Sequence, residues 1–403
     1  MTTIIIGGGI AGLYTAYQLK QKGEPFQLLE KSARKDLGGR MGSPLFYGVP
    51  VAKGAGIGRK RKDKLLQELL SDLKINTHEF RATHQYAESI GSDYCLVKQV
   101  FLQLKQEFEN EPAKYEHLTF KQFAKPILGQ EEYKQFTTCA GYTDYENEDV
   151  RSTLYDYGFD DNYTNFTGIS IPWTEVIDTL VKEIGESTIQ CNSEVLRISQ
   201  EGDNENLSYI VHTRRDSYEA TNIIIATTIH PLRQLLPRIT EYKNIESQPF
   251  LRIYGRFSLS SMRLLQKNLS TTTIVPGPIH KLIPMNPDKG IYMIVYTDNK
   301  GAKALKEYTK NTVSNCHYLQ RQIERALVIP RDSLELESIL SFYWEEGTHY
   351  YKPLTQTPYK TRKQFIKAAQ NPYPNIYVVG EMISQKQGWV EGALESVEQV
   401  LKN

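Results

Sequence analysis

Gly7, Gly9 and Gly12 follow Ile4-Ile5-Ile6 at the spacing GxGxxG and lead into a run, Leu13 to Lys22, with apolar residues at Leu13, Ala16, Tyr17 and Leu19. Each glycine has its own task. The first allows a tight turn, the second lets the backbone approach a pyrophosphate, and the third lets helix and strand pack closely. Backbone N–H groups of the turn, those of Ile10 and Ala11 included, then hold the anion together with the positive end of the helix dipole. Glu30 closes a second short strand, Phe26 to Glu30, with Lys31 beside it. A carboxylate there accepts from both ribose hydroxyls of an adenosine and selects an unphosphorylated ribose. The chemistry implied is dinucleotide binding.

Further segments carry recognisable patterns. Leu37-Gly38-Gly39-Arg40-Met41 follows the acid, and Lys53-Gly54-Ala55-Gly56-Ile57-Gly58-Arg59 forms a second glycine-rich loop. Glu194-Val195-Leu196-Arg197-Ile198 and Ile223-Ile224-Ile225-Ala226-Thr227 read as strands. Near the C-terminus stand Val379-Gly380-Glu381 and Gly388-Trp389-Val390-Glu391-Gly392-Ala393-Leu394-Glu395-Ser396. In this order the segments resemble the flavoproteins with two dinucleotide-binding domains, in particular the monoamine oxidase, polyamine oxidase and L-amino-acid oxidase family.

The resemblance implies FAD as cofactor and gives its binding residues roles. Gly39 and Arg40 match the segment that neutralises the pyrophosphate. Gly56 and Ile57 match the loop passing close to the flavin, although Lys53 departs from the acidic residue common there. Val195 matches a valine whose backbone contacts the adenine. Gly380 and Glu381 match the ribityl contact, and Trp389, Val390 and Ala393 match the flavin fingerprint. The Val390 N–H, at a helix start, would face the pyrimidine ring, where negative charge develops on reduction.

The same resemblance implies a catalytic face. An amine oxidase needs aromatic walls and few charges beside its flavin, so that a C–H of a neutral amine lies next to N5. Trp389 matches one wall. Trp344-Glu345-Glu346-Gly347-Thr348-His349-Tyr350-Tyr351 resembles the loop giving the other, with His349 in the aromatic's place and Tyr350 its neighbour. Thr348 stands where some members attach FAD through a cysteine, which implies a non-covalent cofactor. Phe250-Leu251-Arg252-Ile253-Tyr254 resembles the strand carrying a lysine that assists reaction with oxygen, and Arg252 takes that lysine's place. A permanently charged arginine is not a tunable base.

These residues need elements to position them. A strand, turn, helix and strand open the chain, and Gly23 stops the helix. Helical stripes follow at Leu65 to Leu73 and Cys95 to Phe108. Strand-like runs occupy Val195 to Ser199, Ser208 to Thr213, Asn222 to Ala226, Phe250 to Leu259 and Ile291 to Thr297, and Lys303 to Val328 reads as helix. Ile376-Tyr377-Val378-Val379 reads as a buried strand, followed by a helix from about Gly392 to Leu401. The fold class expected is α/β: an FAD-binding, Rossmann-like domain of the two-dinucleotide-binding-domain type with an interleaved α+β substrate domain. The cofactor domain would comprise 1–72, 186–246 and 372–403, and the substrate domain 73–185 and 247–371.

Composition narrows the function classes. With 403 residues the chain is long enough for two to three domains. Lys+Arg number 48 against 47 Asp+Glu, which argues against a general nucleic-acid binder and for a small-molecule partner. A mean hydropathy of -0.47, without a long apolar run, argues against a membrane span. Cys95, Cys139, Cys191 and Cys316 are widely spaced and lack a CxxC pair. They suggest neither a disulfide framework nor a metal site, and hence a reducing, cytoplasmic setting.

Arg59-Lys60-Arg61-Lys62 reads as a solvated helix start rather than an anion-attracting surface. Tyrosine is abundant at 26 residues, and Tyr142, Tyr145, Tyr155, Tyr157 and Tyr163, with Phe159, Phe166 and Trp173, divide between core and pocket wall. Asp144, Glu146, Glu148, Asp149, Asp156, Asp160 and Asp161 among them read as a solvated acidic loop, or as attraction for a polycationic amine. The expected activity is oxidation of a primary or secondary amine, a polyamine among the candidates in view of that charge, to an imine, with molecular oxygen as acceptor. Arg252 favours an alternative of the same fold, a desaturase, isomerase or mutase. An FAD-binding protein without catalysis is a third reading.

Overall fold

A computed structural model of the chain describes residues 2–91, 95–202 and 207–402. Its centre is a five-stranded parallel sheet in the order Ile376–Val378, Asn222–Ile225, Thr3–Ile6, Phe26–Leu29, Ile189–Gln190. The sheet is thus assembled from three separated stretches of chain. Thr3–Ile6 is buried along its whole length, and a parallel strand covered on both faces reads as a continuous apolar run rather than an alternating one.

The two faces nevertheless divide by residue parity. Ile5, Leu28 and Ile224 pack against the helices Ile10–Gln21, Trp173–Ile184 and Val390–Leu401. Ile4, Ile6, Leu29, Ile223 and Ile225 pack against the antiparallel sheet Val195–Glu201, Ser208–Thr213, Ser217–Ala220 and the helix Arg362–Gln370. Helix Ile10–Gln21 is buried nearly all round, as a helix clamped between sheet and neighbouring helices must be. Tyr14 ties it to the last helix by donating to Glu398 at 2.7 Å.

A second, six-stranded sheet runs Leu336–Tyr351, Ile245–Phe257, Ile291–Asp298, Lys281–Asn286, Thr272–Ile274, His84–Tyr86. Its pairs are antiparallel except the last. Leu251 and Ile253 point into a core with Leu265, Leu305, Leu319 and Ile323. Alternation sends Arg252 and Tyr254 to the opposite face. The segment 344–351, expected as a loop, is the end of a sixteen-residue strand paired with Ile245–Phe257. Lys303 to Val328 is also not one helix: Asn299–Leu305 and Val313–Ala326 are separated by a short 3-10 turn and an extended link.

The helices Val97–Asn110, Phe120–Ala140 and Val150–Tyr155 enclose an aromatic core. Within it Phe159 stacks on Phe101 at 4.7 Å and on Phe136 at 5.5 Å. Thr119 and Gln122 form a capping box at the start of Phe120–Ala140, and Gly141 (φ 67) ends it in the left-handed conformation. Cys95 and Cys139 are joined by a disulfide across this cluster. That corrects the expectation of four reduced cysteines. Forty-four residues separate the pair, and only the packing of the helices makes them neighbours. Cys191 and Cys316 are free. The cysteine argument for a reducing compartment therefore falls. Among the described residues no helix is long and apolar enough to cross a membrane.

Candidate functional site

A cavity of about 1990 Å³ runs from the glycine turn to the six-stranded sheet. At the turn the three glycines differ as their tasks require. Gly7 has φ +110, and a Cβ on Gly12 would stand 1.9 Å from the Gly7 carbonyl oxygen, so Gly12 lies behind the turn as a packing residue. A Cβ on Gly9 would meet nothing within 4 Å. Gly9, Ile10 and Ala11 border the cavity at the N-terminus of the helix Ile10–Gln21, whose first N–H groups lack intrahelical partners. The arrangement is an open cradle fit for a pyrophosphate.

Glu30 accepts from the N–H of Gly8 at 2.6 Å and from that of Ser32 at 2.8 Å. These bonds fix the carboxylate, which retains lone pairs for further donors. Lys31 and Val195 share this part of the wall. Gly39, Arg40, Gly56, Ile57, Gly380 and Glu381 line the middle. Arg40 Nη1 donates to Glu381 Oε1 at 2.7 Å and to the Gly347 carbonyl at 2.8 Å. Gly388 N–H and His349 Nδ1 complete the set around Glu381. Burial alone would raise the Glu381 carboxyl. His349 and Arg40 beside it outweigh burial and hold it well below the usual carboxylate range.

Trp389, Val390 and Ala393 border the cavity at the start of the helix Val390–Leu401. Arg59 lies over the Trp389 ring, 3.4 Å from its centroid. Arg59 is buried, paired with Asp63 at 2.6 Å and Asp161 at 3.1 Å, so the expected solvated start is corrected at this residue. Asp63 is spent on Arg59, and the neighbouring helix Lys64–Asp72 takes its N-terminal cap from Glu391 instead, which accepts from the N–H groups of Lys64, Leu65 and Leu66.

The expected second wall is corrected. His349 is buried behind the cavity, its Nδ1 on Glu381 and its Nε2 facing the Ile229 N–H at 3.4 Å. Tyr350 is likewise absent from the wall. A bulge sets residues 345–347 against Pro249 alone, between the pairs Gln248–Thr348 and Phe250–Trp344, and the stretch from Trp344 to Thr348 borders the cavity instead. Trp344 donates from Nε1 to the Lys53 carbonyl at 3.0 Å.

Arg252 borders the far end of the cavity and is buried. Its guanidinium carbon lies 5.3 Å from the Phe250 ring centroid and 4.7 Å from that of Tyr296. Gly56 lets it approach, since a Cβ there would stand 3.0 Å from an Nη. Lys281, which the sequence reading passed over, borders the same end with its Nζ 3.1 Å from the Tyr142 ring centroid and 5.4 Å from that of Tyr296. Burial lowers its ammonium to about 7. A lone lysine at the head of the apolar run Leu282-Ile283-Pro284-Met285 is the signal that could have marked it.

The acidic residues expected in a solvated loop are mostly interior. Asp144 accepts from the Tyr157 hydroxyl at 2.6 Å, Glu146 from Tyr133 at 3.0 Å, and Glu148 from Thr153 at 2.7 Å. Asp149 caps the helix Val150–Tyr155. Burial raises Asp144, with Asp298 adding to the effect, and raises Glu148 to about 8. Of the seven acids, Asp144 and Asp161 border the cavity.

Two solved structures share this architecture: a triple variant and a double variant of a putrescine oxidase redesigned in cofactor binding. They superpose with TM-scores of 0.74 and 0.75 at 16% and 14% identity, covering 100% of this chain and 99% of theirs. Identity this low shows the fold alone. The uncharacterized protein R188 of Acanthamoeba polyphaga mimivirus is 28% identical over 123 residues, which is 27% of this chain and 24% of that relative's length. The family of flavin containing amine oxidoreductases matches residues 10–399. With nearly its whole length matched, the chain belongs to the flavin containing amine oxidoreductase family.

Proposed function

We propose that this protein binds FAD non-covalently in the cavity and oxidises a primary or secondary amine to an imine, O2 taking up the electrons and protons as H2O2. The observation that carries the reading is the continuity of one cavity from the glycine cradle and Glu30 to a chamber walled by Trp344 and Trp389. The Gly9 to Ala11 backbone would hold the pyrophosphate, Glu30 the adenosine ribose, and Arg40 the negative charge between. Glu381, fixed by Arg40 and His349, would meet the ribityl chain. No cysteine among the described residues borders the cavity, which supports non-covalent binding. Bound there, the flavin supplies a two-electron acceptor for the hydride lost from the substrate carbon.

The chain's own contribution is positioning. Trp344 and Trp389 exclude water from the chamber, and the low polarity they create favours the neutral amine over its ammonium form. Free N–H groups at the start of Val390–Leu401 offer a positive dipole end to negative charge. Attraction of a polyamine by the acidic residues has narrow support, because Asp144 and Asp161 are each already engaged.

The test is the visible spectrum of the purified protein, recorded anaerobically before and after adding spermine, spermidine, aromatic monoamines and L-amino acids in turn. Bleaching by one of them, reversed by air, supports the reading. Arg252 in the lysine's place favours a second one, a desaturase, isomerase or mutase that does not hand electrons to oxygen. Bleaching that air fails to reverse, or none with FAD bound, transfers the weight to it or to a protein that binds FAD without catalysis.

A further inference from the structure

Two buried basic side chains share the end of the cavity against the six-stranded sheet. Arg252 and Lys281 both border the cavity and both lie over the Tyr296 ring. Neither has a carboxylate within ion-pair distance among the described residues. Arg252 Nε is buried and has no hydrogen-bond partner among the described residues, while the Tyr254 hydroxyl interacts with the guanidinium. The two acids nearest in effect are committed elsewhere: Asp298 accepts from the Thr143 N–H at 3.0 Å and from the Thr143 hydroxyl, and Asp144 accepts from Tyr157.

Such a pair is unusual. A buried cation is normally matched by an acid or held by several acceptors, because removal from water is costly and a ring face returns part of that cost. Arg59 and Arg362 in this protein follow the rule, with Asp63 and Asp161 for the first and Asp149 for the second. Arg252 and Lys281 break it only where the wall opens on the cavity. A guanidinium fork and an ammonium on one aromatic floor suit the planar or tetrahedral oxygens of an anion. They repel a second ammonium, so a diamine or polyamine extended toward them would be opposed.

We propose that Arg252 and Lys281 form an anion subsite at the end of the cavity, which takes a carboxylate or a comparable anionic group of the ligand. Resting on the amine-oxidation reading, the proposal makes the substrate an amine that carries an acidic group at its other end. The Tyr142 and Tyr296 rings form the apolar floor between.

The experiment is calorimetric titration of the FAD-loaded protein with benzoate, benzyl alcohol, benzylamine and inorganic phosphate. Benzoate and benzyl alcohol share a ring and differ in charge, so the proposal expects benzoate to bind at least tenfold more tightly. Arg252→Met and Lys281→Met should each reduce that preference several-fold, and Arg252→Lys should retain part of it. FAD content and melting temperature of each variant identify any that misfold, and the wild-type comparison stands without them. Benzoate and benzyl alcohol binding alike would overturn the proposal, as would an unchanged preference in well-folded Arg252→Met and Lys281→Met. Phosphate binding tightly while benzoate does not would overturn the substrate assignment and leave a site for a free inorganic anion. Because binding is read without turnover, the subsite can hold even if no amine bleaches the flavin, and bleaching can occur even if the subsite fails.

Discussion

At the glycine end of the cavity Glu30 is held by two backbone N–H groups, and in the middle Glu381 is held by Arg40, His349 and Gly388. At the opposite end, Arg252 and Lys281 face the cavity over aromatic rings with no carboxylate among the described residues paired to them. On the proposed function, the difference follows from what each end would receive. A resident cofactor is best met by groups already fixed in place, so that binding pays little for ordering them. A ligand that comes and goes can supply the missing counter-charge itself, and the protein then distinguishes it from molecules that lack one.

The largest effect should come from breaking the fixed end. Glu381→Ala leaves Arg40 and His349 facing a void. A loss of about 3 kcal/mol of stability and of bound FAD is expected, since removing one partner of a buried pair strands the other. Thermal unfolding and the FAD-to-protein ratio read both.

Next come the glycines, which separate folding from binding. Gly12→Ala sets a methyl against the Gly7 carbonyl and should cost about 2 to 3 kcal/mol. Gly9→Ala points into open space, so the melting temperature of its cofactor-free form should match that of the parent while FAD affinity falls. Equal destabilisation by the two changes would contradict the assignment of Gly9 to the cradle.

A smaller effect concerns pH. Glu148 sits near 8 against 4.5 in the unfolded chain, so between these values the folded protein holds a proton that the unfolded chain releases. Stability from this group is full below the lower value and lost as pH rises through the upper. Asp144 and Asp298 shift in the same direction. Glu148→Gln should therefore reduce the fall in stability between about pH 5 and pH 8 by about 2 kcal/mol, without removing it. Denaturant curves at the two pH values would show it, and a parallel fall in parent and variant would refute it.

The smallest effect is expected for Trp389→Phe. A phenyl ring retains some attraction for the overlying Arg59, so about 0.5 to 1 kcal/mol should be lost. The absorbance maximum of bound FAD should shift if residue 389 is a wall of the chamber.

The end proposed for the cofactor was legible in the sequence because the chemistry expected there is that of backbone and short-range order. A glycine spacing, an acid at a strand end and a helix start sit next to each other in the chain, so Gly9, Glu30 and Val390 could be placed from spacing and resemblance. The substrate end was not legible in that way. His349 and Trp344 lie in one segment, and whether that segment was loop or strand, and in which register, decided which side chain reached the cavity. A shift of one residue in a strand reverses the face.

The opening strand, turn, helix and strand, the buried strands Asn222–Ile225 and Ile376–Val378, and the resemblance to the family were therefore legible in the sequence alone, since continuous apolar runs and local turn chemistry are properties of neighbours along the chain. Tertiary structure alone decided that Cys95 meets Cys139, that Glu391 caps the helix of Lys64, and that Lys281 joins Arg252. Each of these depends on a crossing of elements far apart in sequence, and the free energy of such a contact exists only once both sides have been packed.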